Sequence, residues 1–214
     1  MIISIDGGAA TGKTTVAKTL SKKINFIHLN SGLIYRALTY IFLENNFLNK
    51  KTHFDQVFLN NLDLKVQGDN LNMIYYNSIN ISSALHSKSI AENIKYISDN
   101  VIIRKFITQI QRNLSKNKNV VCEGRDIGSI VFPYAELKFF LECDIDERVE
   151  RRYNQYLTNN IDCNKSNLKK MILNRDKNDM TRINSPLIKV KESILINTTD
   201  LKLEDVIKIM CKNI

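Results

Sequence analysis

The sequence predicts an α/β fold of three layers, in which a five-stranded parallel sheet is covered by helices and a small antiparallel insertion interrupts the chain. Three observations predict it. Short apolar runs of strand length alternate with stretches of helical periodicity along most of the 214 residues. The first run, Ile2 to Asp6, ends in glycines and leads straight into a helical pattern. The rhythm breaks once, from about Leu62 to Ile81, where apolar residues recur at every second position.

The elements follow in order. Ile2 to Asp6 is a buried strand, and Thr14 to Lys23 carries Val16, Ala17 and Leu20 at helical spacing. Ile27 to Asn30 forms a second strand, followed by a helix from about Leu33 to Leu43. In the insertion, Leu62, Leu64 and Val66, then Leu71, Met73 and Tyr75, alternate around the turn Gly68-Asp69-Asn70. One long helix is expected from about Ser89 to Leu114. Val120 to Glu123, Lys138 to Leu141 and Ser193 to Asn197 supply the remaining strands. The last helix sets Leu203, Val206, Ile207 and Met210 on one face. Strands alternating with helices in this way call for a parallel sheet covered on both sides.

With 43% hydrophobic and 25% charged residues, the chain is of globular composition and long enough for one compact domain with an insertion. No apolar run reaches the ~18 residues of a membrane span. The opening Met-Ile-Ile-Ser-Ile is too short for a secretory signal, so a cytoplasmic location is expected. Cys122, Cys143, Cys163 and Cys211 are widely spaced and form no metal or redox motif. The net charge of +9 suits either a nucleic-acid surface or a substrate with several phosphates. Its lysines are dispersed singly among Asn and Ile, which favours solvated faces over a nucleic-acid stripe.

Gly7-Gly8-Ala9-Ala10-Thr11-Gly12-Lys13-Thr14 satisfies the phosphate-loop pattern G-x-x-x-x-G-K-[ST] at every fixed position, with a strand before it and a helix after it. Backbone amides must converge on the phosphates, so the loop side chains are small. The helix beginning near Lys13 adds its N-terminal dipole. Lys13 is placed to neutralise the β- and γ-phosphates of ATP, and Thr14 to offer its hydroxyl to Mg2+. Thr15 completes the expected ATP-binding set.

Four further clusters concern the phosphate acceptor. Ser31-Gly32-Leu33-Ile34-Tyr35-Arg36 follows the second strand, and Glu123-Gly124-Arg125-Asp126-Ile127-Gly128 follows the third. Both lie beyond C-terminal strand ends, where open parallel sheets bind ligands. An arginine at each can clamp a phosphate bidentately. Arg148, Arg151 and Arg152 share a helix face and repel unless an anion lies between them; taken alone, the trio reads equally as a solvated face. Arg175 to Arg182 adds two arginines, with Asp176 and Asp179 between.

On these residues the sequence resembles the bacterial cytidylate kinases, members of the nucleoside monophosphate kinase group of P-loop enzymes. The likeness runs from Ile3 to the last helix. Its most specific piece is Val120 to Pro133, and Arg175, Asp179, Arg182 and Asn197-Thr198-Thr199 complete it. The resemblance implies a single P-loop kinase chain over 1–214, with a core at 1–45, 115–147 and 165–214. It implies a CMP-binding insertion at 46–114 and a helical lid at 148–164. Ser31, Arg36, Arg125, Arg175 and Arg182 would surround the CMP phosphate and the transfer site. Asp179 would bond the sugar hydroxyls, Arg104 and Asp126 would read the cytosine edge, and Arg148, Arg151 and Arg152 would close over ATP.

The implied reaction moves the γ-phosphoryl group of ATP to CMP or dCMP without a covalent intermediate, in a monomer with no nucleic-acid or membrane partner. Cytosine presents an acceptor at N3 and a donor at N4, the reverse of uracil. An arginine and a carboxylate facing them would leave buried groups unpaired with uracil. Three residues depart from the family pattern: Asn30 replaces an acidic residue, Lys95 a serine that touches the base, and His86 an arginine. Two alternatives stand beside this one: a P-loop kinase for UMP or a non-nucleotide metabolite, and a P-loop NTPase acting on nucleic acid.

Overall fold

The computed structural model describes residues 1–47, 56–158 and 161–214. The parts of the expected insertion at 48–55 and of the expected lid at 159–160 lie outside the described residues. In chain order the elements begin with β1 (Ile2–Gly7), α1 (Lys13–Lys23), β2 (Ile27–Asn30), α2 (Ser31–Glu44) and α3 (Gln56–Asn60). Next come β3 (Leu64–Gln67), β4 (Met73–Tyr76), β5 (Ile79–Asn80), α4 (Lys88–Ser98) and α5 (Val101–Ser115). β6 (Val120–Gly124), β7 (Leu137–Glu142), α6 (Ile145–Thr158), α7 (Lys165–Thr181), β8 (Ile194–Asn197) and α8 (Leu203–Cys211) complete the chain.

β2, β6, β1, β7 and β8 form the five-stranded sheet in that order, and β3, β4 and β5 form a separate three-stranded sheet. β7 pairs in parallel with both β1 and β8, Ile5 facing Phe139 and Phe140 facing Leu195. The chain divides into two compact units, Met1–Phe26 with Val121–Ile214, and Ile27–Val120.

In the first unit, β1, β6, β7 and β8 send Ile3, Ile5, Val121, Phe139, Leu141 and Ile196 into one core. α1 adds Val16, Ala17 and Leu20 to it, and α8 adds Val206, Ile207 and Met210. Both helices therefore bury the faces that their sequence periodicity marks. A second cluster joins Ala9 to Val149 of α6 and to Leu168 and Ile172 of α7, so the phosphate loop rests on apolar side chains of two helices.

In the second unit, α2, α4 and the small sheet share a core of Ala37, Ile74, Ile81, Leu85 and Ile90. β3 and β4 are antiparallel, as the alternation predicts. The inward face of β4 is corrected: Ile74 is fully buried, whereas Met73 is 38% exposed. Both alternating sets of β4 are apolar, so periodicity alone could not choose between them. The single helix expected from Ser89 to Leu114 is two helices. α4 stops at Ser98, and Asn100 caps α5 by accepting from the amides of Ile102 and Ile103 at 2.9 and 3.1 Å. After β6 the chain makes one π-helical turn, Ile127–Val131.

Candidate active site

β1 delivers the chain to the phosphate loop at Gly7, whose φ of 152° and close neighbour require glycine. A Cβ there would stand 2.4 Å from the Leu141 carbonyl oxygen. Gly12 is the N-cap of α1, and among the described residues no side chain caps that helix's first turn or adds an acidic group to it. Its leading amides and dipole are thus directed at an anion from outside. Lys13 is buried, its Nζ donating to the Gly8 carbonyl at 2.5 Å and to Thr11 Oγ1 at 3.4 Å. Burial first, then the charges of Arg125 and Arg175, push its pKa well below the usual lysine value, against the pull of Glu123 and Asp176. A buried ammonium among guanidinium groups gains from an added anion. Thr14 Oγ1 donates to Glu123 Oε1 at 2.6 Å.

The turn after β6 is held from below. Asp6 on β1 accepts from the amides of Ile127 and Gly128 at 2.8 and 2.7 Å, which fixes the segment bearing Arg125 and Asp126. Arg125 Nε donates to Asp179 Oδ2 at 2.8 Å, and Arg182 Nη1 donates to Asp179 Oδ1 at 3.3 Å. Arg182 Nη2 also stands 3.9 Å from Asp126 Oδ1, so two arginines and two carboxylates alternate in one network. Burial would raise the Asp179 carboxyl, but Arg125, Arg175 and Arg182 together hold it below the usual range.

Arg148, Arg151 and Arg152 leave α6 for different partners. Arg148 pairs with Asp176 of α7 and donates to the Ala9 carbonyl at 3.1 Å. Arg151 pairs with Glu147 at 2.8 Å and donates to the Thr198 carbonyl at 2.6 Å. Arg152 donates to Gln155 Oε1 at 2.9 Å, and burial, with Arg125 nearby, lowers its pKa. Separate carboxylates therefore neutralise Arg148 and Arg151. Thr11, Gly12, Thr15, Arg151, Thr198 and Leu201 help line a pocket of about 260 Å³ beside the loop.

In the unit Ile27–Val120, Ser31 is the first residue of α2, with Asn30 as N-cap. Ser31 Oγ accepts from Gln111 Nε2 at 3.2 Å, and both residues are buried. Arg36 Nη1 donates to the Leu85 carbonyl at 3.0 Å. Arg104, 5% exposed, donates from Nη1 to the Ser98 carbonyl at 2.8 Å and lies 5.4 Å over the Tyr35 ring. Lys95 is exposed and lies 4.9 Å over the Tyr96 ring. Partial burial and then Arg36 lower the pKa of His86.

The family model described as cytidylate kinase matches residues 3–214. The chain belongs to the cytidylate kinase family. It is 39% identical to the cytidylate kinase of Fusobacterium nucleatum, covering 100% of this chain and 97% of that one. It is 38% identical to that of Carboxydothermus hydrogenoformans, covering 97% and 94%. Among solved structures, a shikimate kinase from Acinetobacter baumannii in complex with shikimate matches with a TM-score of 0.52 at 15% identity, covering 99% of this chain and 91% of that one. That likeness concerns the fold alone.

Five polar residues of this family member escape motif reasoning: Asp6, Gln111, Glu123, Asp176 and Thr198. All five are buried; Asp6 holds the amides of Ile127 and Gly128 next to Asp126, and the other four bond to a candidate residue or to the phosphate loop itself. Glu123, Asp176 and Thr198 stand inside motif segments without a role of their own there, whereas Gln111 lies in an ordinary helical pattern with no sequence signal. For magnesium, the Thr14 hydroxyl and the Glu123 carboxylate supply a pair of hard oxygen donors at the mouth of the loop. They fit an ion that completes its shell with water and phosphate oxygens.

Proposed function

We propose that this chain transfers the γ-phosphoryl group of ATP to CMP or dCMP, giving ADP and CDP or dCDP. The observation that carries this reading is the alternating network Arg125–Asp179–Arg182–Asp126 in the same unit as a phosphate loop whose Lys13 is itself under arginine fields. Such an array serves two phosphate-bearing ligands, and full-length membership of the cytidylate kinase family supports CMP as the second.

The residues divide the work. Lys13 and the amides at the head of α1 hold the β- and γ-phosphates. The pocket at Thr15, Thr198 and Leu201 takes the adenine end of ATP. Thr14, with Glu123, holds Mg2+, which supplies charge neutralisation on phosphate oxygens when bound. Arg125, Arg175 and Arg182 stabilise charge on the moving phosphoryl group, with Arg148, Arg151 and Arg152 from the 148–164 lid. Asp179 takes the sugar hydroxyls. In the other unit, Ser31 and Arg36 are assigned to the CMP phosphate and Arg104 to the base, with Asp126 reading the cytosine amine. Water exclusion by the lid suppresses hydrolysis of ATP.

We also place the enzyme in the cytoplasm, acting as a monomer, with Cys122, Cys143, Cys163 and Cys211 as free thiols. The test is ADP release measured with CMP, dCMP, UMP and AMP as separate acceptors. Turnover with CMP and dCMP well above that with UMP and AMP is expected. Equal rates, or ATP hydrolysis without an acceptor, would overturn the reading.

A further inference from the structure

A closed ring of hydrogen bonds joins three segments far apart in sequence. Asp176 of α7 is buried, and its Oδ1 accepts from the Ala9 amide at 2.7 Å. Its Oδ2 pairs with Arg148 Nη1 of α6, and that same Nη1 donates to the Ala9 carbonyl at 3.1 Å. Ala9 of the phosphate loop is thus gripped at both its N–H and its C=O by an ion pair made across two helices. The loop passes this pair at contact, since a Cβ on Gly8 would stand 3.0 Å from both Arg148 Nη1 and Asp176 Oδ2. Val149, Leu168 and Ile172 of the same helices close on the Ala9 side chain.

We infer that Asp176 is a positioning residue for phosphoryl transfer, acting through Arg148 and the first half of the phosphate loop rather than on substrate. The inference rests on the phosphotransferase reading above. An arginine has many rotamers, and a fixed, buried carboxylate removes that freedom before nucleotide arrives. Electrostatic catalysis depends on such advance placement of charge. A pair serving stability alone could be exchanged for apolar side chains without functional loss. A positioning pair could not.

The experiment uses the full chain and a mutant cycle of Asp176→Asn and Arg148→Met, with kcat and both KM values measured on variants that melt cooperatively. Asp176→Asn is expected to lower kcat about tenfold or more, with the CMP KM within about twofold of wild type. In the Arg148→Met background the same change is expected to cost less than about twofold, because the two residues act as a unit. A kcat unchanged by Asp176→Asn, or a loss undiminished in the Arg148→Met background, overturns the inference. If a single variant fails to fold, Asp176→Leu with Arg148→Met leaves no buried unpaired charge. Wild-type turnover in that double variant equally overturns it. Should the wild-type chain not use CMP at all, the functional reading fails, and Asp176 is then tested by calorimetric binding of ATP and ADP. A ratio of ATP to ADP affinity reduced about fivefold by Asp176→Asn supports positioning at the γ-phosphate, and an unchanged ratio refutes it.

Discussion

Thr14 Oγ1 donates to Glu123 Oε1 across 2.6 Å, tying the first turn of α1 to the end of β6. The link joins the two oxygen donors suited to magnesium, and the Glu123 charge also opposes the depression of the Lys13 pKa. Glu123→Gln keeps the shape and a hydrogen-bond acceptor but removes the charge. The Mg2+ concentration for half-maximal turnover should rise about tenfold, the value of one charge-assisted contact. Initial rates titrated with Mg2+ at fixed ATP give the answer. An unchanged requirement would place the metal elsewhere.

Asp6 gives the fold a defined pH dependence. Burial raises its pKa from 3.8 to about 6, with Asp126 adding to the rise, while the Gly128 and Ile127 amides and Lys13 restrain it. Below pH 3.8 the carboxyl is protonated both folded and unfolded, so it adds no pH dependence there. Between 3.8 and about 6 the folded chain keeps a proton that the unfolded chain releases, so stability from this group falls as pH rises and the loss is complete above about 6. The total is about 3 kcal/mol, from roughly two pH units at 1.36 kcal/mol each. Urea unfolding of wild type and Asp6→Asn between pH 4 and 7 should show the variant gaining on wild type by an amount of that order. Parallel profiles would mean that Asp6 titrates at its ordinary value.

The phosphate loop is legible from sequence because every requirement on it is local. Gly7, Gly12, Lys13 and Thr14 must stand at fixed offsets between a strand and a helix, and no distant residue can substitute for that spacing. The grip on Ala9 is different in kind, since its carboxylate partner lies 167 residues downstream and only folding brings them together. Gln111 and Ser31 are 80 residues apart and equally silent. The break between α4 and α5 was written in the sequence as Asp99-Asn100, an N-cap signal before an apolar run. Helical periodicity continues across it, which hides the break. On β4, Met73, Ile74, Tyr75 and Tyr76 are apolar or aromatic on both faces, so the buried face is decided by packing against α2 and Leu85.

Gln111 should govern the acceptor and not ATP. Its amide donates to Ser31 Oγ, so the serine oxygen already accepts, which leaves its own hydrogen to donate to the CMP phosphate in the role proposed for Ser31. Gln111→Leu, close in volume, removes that donation. The CMP KM should rise about three- to tenfold, as expected for one neutral hydrogen bond, with the ATP KM unchanged. Steady-state kinetics with each substrate varied in turn distinguishes this from a general loss of structure, which would move both constants.

Arg104 has a structural role on view, and the selective role proposed for it is tested by one substitution read out in two ways. Its guanidinium donates to the Ser98 carbonyl at the end of α4 and lies over Tyr35 of α2, so it is held rigid between two elements. In the role proposed for it, a rigid, buried donor facing cytosine N3 would have no acceptor when uracil presents an N–H there, a mismatch worth about 1–3 kcal/mol. Arg104→Met keeps much of the side-chain volume and removes the donor. The ratio of kcat/KM for CMP over UMP should fall at least about tenfold. The melting temperature should fall as well, because the Ser98 carbonyl loses its partner. A variant that melts lower but retains the full preference for CMP would confine Arg104 to holding α4 and α5 together, and base selection would then rest on Asp126.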